Sequence, residues 1–221
     1  MLPSSTDLGS NDERQLSSRS ERSMLARWID DVLYYGFAQV TGLGLLALWT
    51  VLQTPYVDLV VKTAAVVAYP ATMLAIGTFR SGVLSTGRPW PRLETRRLGT
   101  GEGYQAYLTR AVYVSTALLL GTYGAALVAL VADATLLALP IAAALAVGSI
   151  ALFPHLTVPD RRRQIARGAY YLVGLGVAFA LSTPLDVSVG DPLTVAYFAV
   201  LGVLAVYDLS SRGWRNVADV R

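Results

Sequence analysis

The sequence predicts an all-α integral membrane protein: six transmembrane helices in three consecutive hairpins, with N- and C-termini cytoplasmic. Three observations predict it. The first is composition. Of 221 residues, 54% are hydrophobic and only 15% charged, with a mean hydropathy of +0.48, whereas a soluble domain is about 45–50% apolar and about 25% charged. The second is the length of the apolar runs, about 17 to 23 residues, which as helices cross about 30 Å of hydrocarbon. The third is where arginine falls. All seventeen arginines lie in segments expected on the inner side, while the three expected outer turns hold none and carry Asp133, Asp186 and Asp191. Arginine beside a membrane segment resists translocation, so arginine-bearing loops stay in the cytoplasm.

The elements follow in order. Residues 1–22 are serine-rich and of mixed charge, with too little apolar surface to build a core, so a disordered cytoplasmic tail is expected. They contain no apolar run of signal-peptide type, and the first spanning helix is expected to act as the insertion signal. Residues 23–34 are amphipathic: Leu25, Trp28, Ile29, Val32 and Leu33 recur at helical spacing, with Arg27, Asp30 and Asp31 mostly opposite. An interfacial helix is expected there. The group Arg27…Asp30-Asp31 resembles the start of the first helix in the RDD family of membrane proteins. That resemblance covers these few residues and brings no activity with it.

The transmembrane domain, 35–208, is read as six spans at about 35–54, 57–79, 111–131, 134–153, 168–184 and 192–208, followed by a cytoplasmic tail over 209–221. The first span stops at Pro55, which cannot continue a helix comfortably. The arginine-rich stretch 80–110 is the longest polar connector; it carries Arg80, Arg88, Arg92, Arg96, Arg97 and Arg110 against Glu94 and Glu102. A second basic connector covers 154–167. Tyr34, Tyr35, Tyr104, Tyr107, Tyr170, Tyr171, Tyr207 and Trp214 gather near the expected inner interface, where amphipathic rings settle.

Glycines recur in the first helix of each expected hairpin, as Gly42 and Gly44, Gly121 and Gly124, Gly174 and Gly176, and Pro70 and Pro140 fall within the second and fourth spans. Repeats and interrupted helices occur in transporters. The plainer reading is close helix packing, at small-xxx-small spacing in Ala144…Gly148 and Gly174…Ala178.

Candidate chemistry is sparse. Lys62 is the only lysine and stands four residues after Asp58, so the two can pair on one helix face. Charge in a membrane helix marks a ligand- or ion-site candidate, although Lys62 is near enough the helix end to lift its ammonium to the surface. Arg96, Arg97, Arg161, Arg162 and Arg163 are the candidates for an anionic lipid or phosphate at the cytoplasmic face. His155 is the only histidine, with Asp160 as its one near acidic neighbour, and a lone histidine does not make the usual zinc site. Gly99–Gly103 follows no strand, so it reads as a flexible loop rather than a phosphate cradle. Asp208 and Arg212 have the spacing of an ordinary helix-closing pair.

Absences narrow the classes further. There are no cysteines, which removes disulfides, thiolate nucleophiles and cysteine-held metals. No Gly-x-Ser-Gly, no His-Glu-x-x-His, no histidines within the spans and no paired acids inside a span are present, so neither a catalytic residue nor a cofactor or metal is expected. The net charge of +3 comes from residues beside membrane segments, so the expected partners are the bilayer and its anionic headgroups rather than nucleic acid. A membrane-protein partner or a homo-oligomer completes the expectation. The first function class is a non-enzymatic structural or accessory membrane subunit. The alternatives are a small-solute permease and then a lipid-processing membrane enzyme. Seventeen arginines against one lysine are a codon signature of a GC-rich prokaryotic genome, and a multi-pass protein of the prokaryotic plasma membrane is expected.

Overall fold

A computed structural model describes residues 23–54, 58–91, 101–157, 160–182 and 192–210; these are helices and short turns, with no strand among them. Helix α1 spans Met24–Leu43 and α2 Leu45–Gln53. Helix α3 is Asp58–Ser81, α4 runs from Gly101 to Val131, α5 is Thr135–Leu156, α6 is Arg161–Ser182 and α7 is Pro192–Leu209. Four segments, Leu59–Ser81, Ala106–Val131, Thr135–Leu156 and Arg161–Ser182, are long and apolar enough to cross a membrane. The bent pair α1–α2 makes a fifth when taken as one span, and the apolar part of α7, Val195–Leu209, is shorter. The structure therefore bears out an all-helical chain with four to five apolar spans.

Successive passes run antiparallel, because the end of one meets the start of its neighbour. Trp28 Nε1 donates to Thr78 Oγ1 at 2.9 Å, which joins the start of α1 to the end of α3. Gln164 Nε2 donates to the Leu209 carbonyl, which joins the start of α6 to the end of α7. These contacts define one end of the bundle, called here the arginine end. At the opposite end, Thr54 Oγ1 and Tyr123 OH share a hydrogen bond of 2.5 Å, and Trp49 packs on Tyr197 with ring centroids 5.8 Å apart.

Helix α4 is the centre. Its spanning segment is 72% buried, against 28–33% for the other three. The cause is in its sequence: Val112 to Leu119 presents small, apolar or hydroxyl side chains on every side, and all eight are buried. A helix without a polar face is covered all round. The hydroxyls of this stretch are answered by nearby carbonyls, since hydrocarbon offers no water to do so, while Thr122 further along α4 is buried with its Oγ1 unanswered. Thr116 Oγ1 donates to Val112 O at 2.7 Å, and Ser115 Oγ to Leu43 O at 2.8 Å.

The second of these bonds falls where the first pass breaks. Gly44 has φ −90° and ψ 6°, and α2 leaves α1 at 59°. The Leu118 side chain occupies the space that a Cβ on Gly44 would take. Two π-helical turns also interrupt the α-helices, at Asp31–Gly36 in α1 and Leu120–Gly124 in α4. The helix is continuous from Met24 to Leu43, so the boundary expected between an interfacial helix at 23–34 and a span from 35 lies inside it.

Small residues set the helix spacing, with some changes from expectation. Gly77 of α3 faces α1 so closely that its Cβ would stand 2.7 Å from Val32 Cα, and Gly36 meets the Met73 backbone in the same crossing. Gly174 and Ala178 are buried, with a Cβ on Gly174 falling 2.5 Å from Thr116 Cγ2. By contrast, Ala144 and Gly148 face outward, and the seam of α5 is formed by Ala138, Ala142 and Ala146 against Ala64 and Ala68 of α3. Their spacing places the two sets on different faces of one helix. Pro140 is the third residue of the α-helix Ala138–Leu156 rather than mid-helix, and there a missing N–H costs no intrahelical bond. Pro70 does lie within α3.

Gly77→Val is expected to force α1 and α3 apart and destabilise the fold by about 1–3 kcal/mol. Gly42, with nothing within 4 Å of a Cβ, supplies the control, Gly42→Ala. Thermal unfolding of the purified protein in detergent should show a lower Tm for the first variant alone.

Candidate functional site

Polar side chains concentrate at the arginine end, where two constructions stand out. The first is a strap, residues 82–91, that folds back from the end of α3. Gly82 and Gly87 have φ of +79° and +81°, a backbone that glycine adopts without penalty. Ser85 Oγ accepts the Gly87 N–H at 3.1 Å, which closes the second bend. Three anchors hold the strap on the bundle. His155 Nε2 lies 2.9 Å from the Thr86 carbonyl, so the ring nitrogen donates. Trp90 packs on Phe153 with centroids 5.1 Å apart. Arg110 Nη2 donates to the Pro91 carbonyl.

Between strap and helix ends lies a cavity of about 260 Å³, with Arg80, Ser85, Thr86, Arg88 and Trp90 among its walls. Arg80 Nε is 3.2 Å from Asp31 Oδ1, and its guanidinium lies 3.1 Å over the Tyr35 ring. Arg110 stands behind Trp90, its Cζ 5.9 Å from the indole centroid. Arg110 is only 3% exposed, yet its Nε and Nη1 have no hydrogen-bond partner, and neither has the enclosed Trp90 Nε1. A buried donor without an acceptor is costly. The recess is rich in donors and positive in charge, which suits an anion. His155, committed to the strap, is held in place as an anchor.

The second construction joins α6 to α7. Arg167 Nε is 3.1 Å from Asp208 Oδ2, with the two side chains 0% and 3% exposed. Tyr171 OH donates to the same oxygen at 2.8 Å, and Arg167 Nη2 to the Asp208 carbonyl at 3.3 Å. Tyr171 in turn borders an aromatic group of Tyr113, Tyr170 and Phe153, and Tyr113 OH donates to Ser149 O at 2.7 Å. The sequence pairs Asp208 with Arg212 by spacing; Arg212 lies outside the described residues, and among the described residues Asp208 has the cross-helix partner Arg167. Local spacing cannot show a partner 41 residues away.

The candidates read from sequence are distributed differently. The Asp58 side chain is not described, Lys62 is exposed in the first turns of α3, at the end away from the strap, and Arg96 and Arg97 lie outside the described residues. Arg161 and Arg162 are exposed at the start of α6, and Arg163 is half-buried with Nε 3.9 Å from Asp160 Oδ2. None of these three lines the cavity. Arg80, Arg88 and Arg110 do the work of building positive charge around it. The signal that could have singled them out is the pair of glycines in the strap followed by Pro89-Trp90-Pro91.

Helices of this length and apolar character are those of a multi-span α-helical membrane protein. Residues 22–159 match the family described as a domain of unknown function, DUF8215, and the chain belongs to that family. The match contains the strap and its cavity, while Arg167 and Asp208 lie beyond it. No curated protein and no solved structure matches the chain.

Removing one member of a buried ion pair strands the other, which costs about 3–5 kcal/mol. Arg167→Met alone is therefore expected to lower the Tm strongly, whereas Arg167→Met combined with Asp208→Leu should recover most of the loss. A double-mutant cycle by thermal unfolding in detergent checks this.

Proposed function

We propose that this protein is a non-enzymatic structural or accessory subunit of a prokaryotic plasma-membrane assembly, spanning the bilayer six times with both termini in the cytoplasm. In this reading α1–α2 forms one broken pass, α7 the sixth, and the arginine end faces the cytoplasm beside anionic headgroups. The observation that carries it is the division of the molecule. The middle is a packed core about α4, with Tyr113, Leu118, Leu119 and Tyr123 fully buried, while the ion pairs Arg80–Asp31 and Arg167–Asp208 stand at one end. A closely packed middle favours a scaffold over a passage. A second copy of the chain or another membrane protein is the expected partner.

A second reading, a small-solute permease, is favoured by one specific feature. The first pass breaks at Gly44, one turn beyond Gln39, whose Oε1 is buried without a hydrogen-bond partner. Broken helices near unanswered polar groups are where transporters hold solutes. A solute-dependent rise in Tm would favour this reading.

Both the orientation and the assembly are open to measurement. The chain has no cysteine, so single cysteines report cleanly. Asp133→Cys and Val187→Cys should react with an impermeant thiol reagent from outside intact cells, and Thr100→Cys only after lysis; the reverse pattern would overturn the orientation. Native mass spectrometry after gentle extraction should show a co-retained protein or a second copy. A chain released alone and monomeric would overturn the subunit reading.

A further inference from the structure

The strap cavity has a ligand chemistry of its own. We infer that it is a binding site for a phosphate group, and that the group is the headgroup phosphate of an anionic phospholipid. Three observations converge. Arg80 and Arg88 come to the wall from the end of α3 and from the strap, and Ser85 comes from between them. Donors spread around a recess match a tetrahedral oxyanion, which accepts bonds on several sides, and guanidinium groups bind such oxyanions strongly. Ser85 Oγ already accepts from Gly87 N–H, which leaves its own hydrogen to donate. Trp90 forms part of the wall, with its Nε1 enclosed by protein, and Arg110 behind it adds positive charge that the Pro91 carbonyl only partly answers.

Size and surroundings select the source of the phosphate. At about 260 Å³ the cavity holds the equivalent of roughly nine water molecules at about 30 Å³ each, enough for a phosphate and a few attached carbons. Beside Ser81 and Thr86 the wall also carries the apolar side chains Phe79, Leu84, Pro89 and Pro154. Val83 and Leu84 on the strap are also exposed, at 40% and 58%. Apolar strap residues beside a cationic recess at a helix end fit a lipid whose phosphate enters the recess and whose glycerol and acyl chains run along the bundle. This differs from general attraction of lipid to a basic rim, for which Arg161 and Arg162 are as well placed. It is also independent of any partner subunit, since every residue belongs to a single chain and the test is read on that chain alone.

The test titrates the detergent-purified full chain with phosphatidylglycerol or phosphatidylcholine and follows bound lipid by native mass spectrometry, with Tm recorded for every variant. Phosphatidylglycerol should be retained in preference to phosphatidylcholine. Arg88→Gln should weaken its retention about tenfold, and Ser85→Ala about threefold, through loss of donors to a charged acceptor. Arg161→Gln with Arg162→Gln should leave it within about twofold, as exposed charges contribute little. Excess glycerol 1-phosphate that displaces the lipid would support the phosphate site and identify a soluble phosphate ester as an alternative source; failure to displace would support the lipid as the source. Retention unchanged in both Arg88→Gln and Ser85→Ala, or lost equally in the Arg161–Arg162 double variant, would overturn the inference.

Discussion

The enclosure of α4 is the constraint on which the other helices depend. A helix apolar on all sides must be covered on all sides, and the remaining passes do so, each presenting small residues where the approach is closest. Gly174 lets α6 come against Thr116. Gly121 faces Ala68 of α3 and Ala146 of α5. Once α4 is surrounded, most of its hydroxyls bond to backbone carbonyls nearby, and the ion pairs stand at a helix end. The opposite end takes the Thr50–Thr54–Tyr123 hydroxyl chain; the arginine end takes the charges.

That placement explains why charged groups with apolar neighbours can persist there. Arg167 and Asp208 would each be costly alone in a buried site, but they meet across α6 and α7 with Tyr171 satisfying the same carboxylate oxygen. The pair fixes the register of two helices whose other contacts are mainly apolar. The strap uses a different solution. His155 and Arg110 are spent on its carbonyls, and Trp90 fills the gap beside Phe153. The recess under the strap exists because Gly82 and Gly87 turn the chain back instead of letting it leave the surface.

The irregular parts of the helices have a common cause. Gly44 breaks the first pass where Leu118 needs the space, and Ser115 takes the Leu43 carbonyl at that break. The π turns at Asp31–Gly36 and Leu120–Gly124 bring Gly36 and Gly121 to their close approaches with α3. An extra residue in one turn re-aims a helix face, and here each such turn contains a glycine that meets a neighbouring helix.

The sequence by itself determined the helical class, the presence of the apolar helices Leu59–Ser81, Ala106–Val131, Thr135–Leu156 and Arg161–Ser182, although the last begins seven residues before the expected 168, and the gathering of arginine into particular stretches; the break at Gly44 was not legible in it. These follow from composition and from run length, which are local properties that act before any helix meets another. It also made Gly174 and Ala178 legible as a packing face. What it left undecided was partnership. Ala144…Gly148 and Ala142…Ala146 have the same spacing, and only the position of α3 chose between them. Asp208 has an arginine four residues later in sequence, but its partner Arg167, 41 residues earlier, is brought against it only by the packing of α6 on α7. Arg80, Arg88 and Arg110 were visible as charges in one long stretch, but their convergence needed the strap to fold over Phe153 and His155. Which distant groups meet is set by how helices pack in three dimensions, and periodicity along one chain carries no term for it.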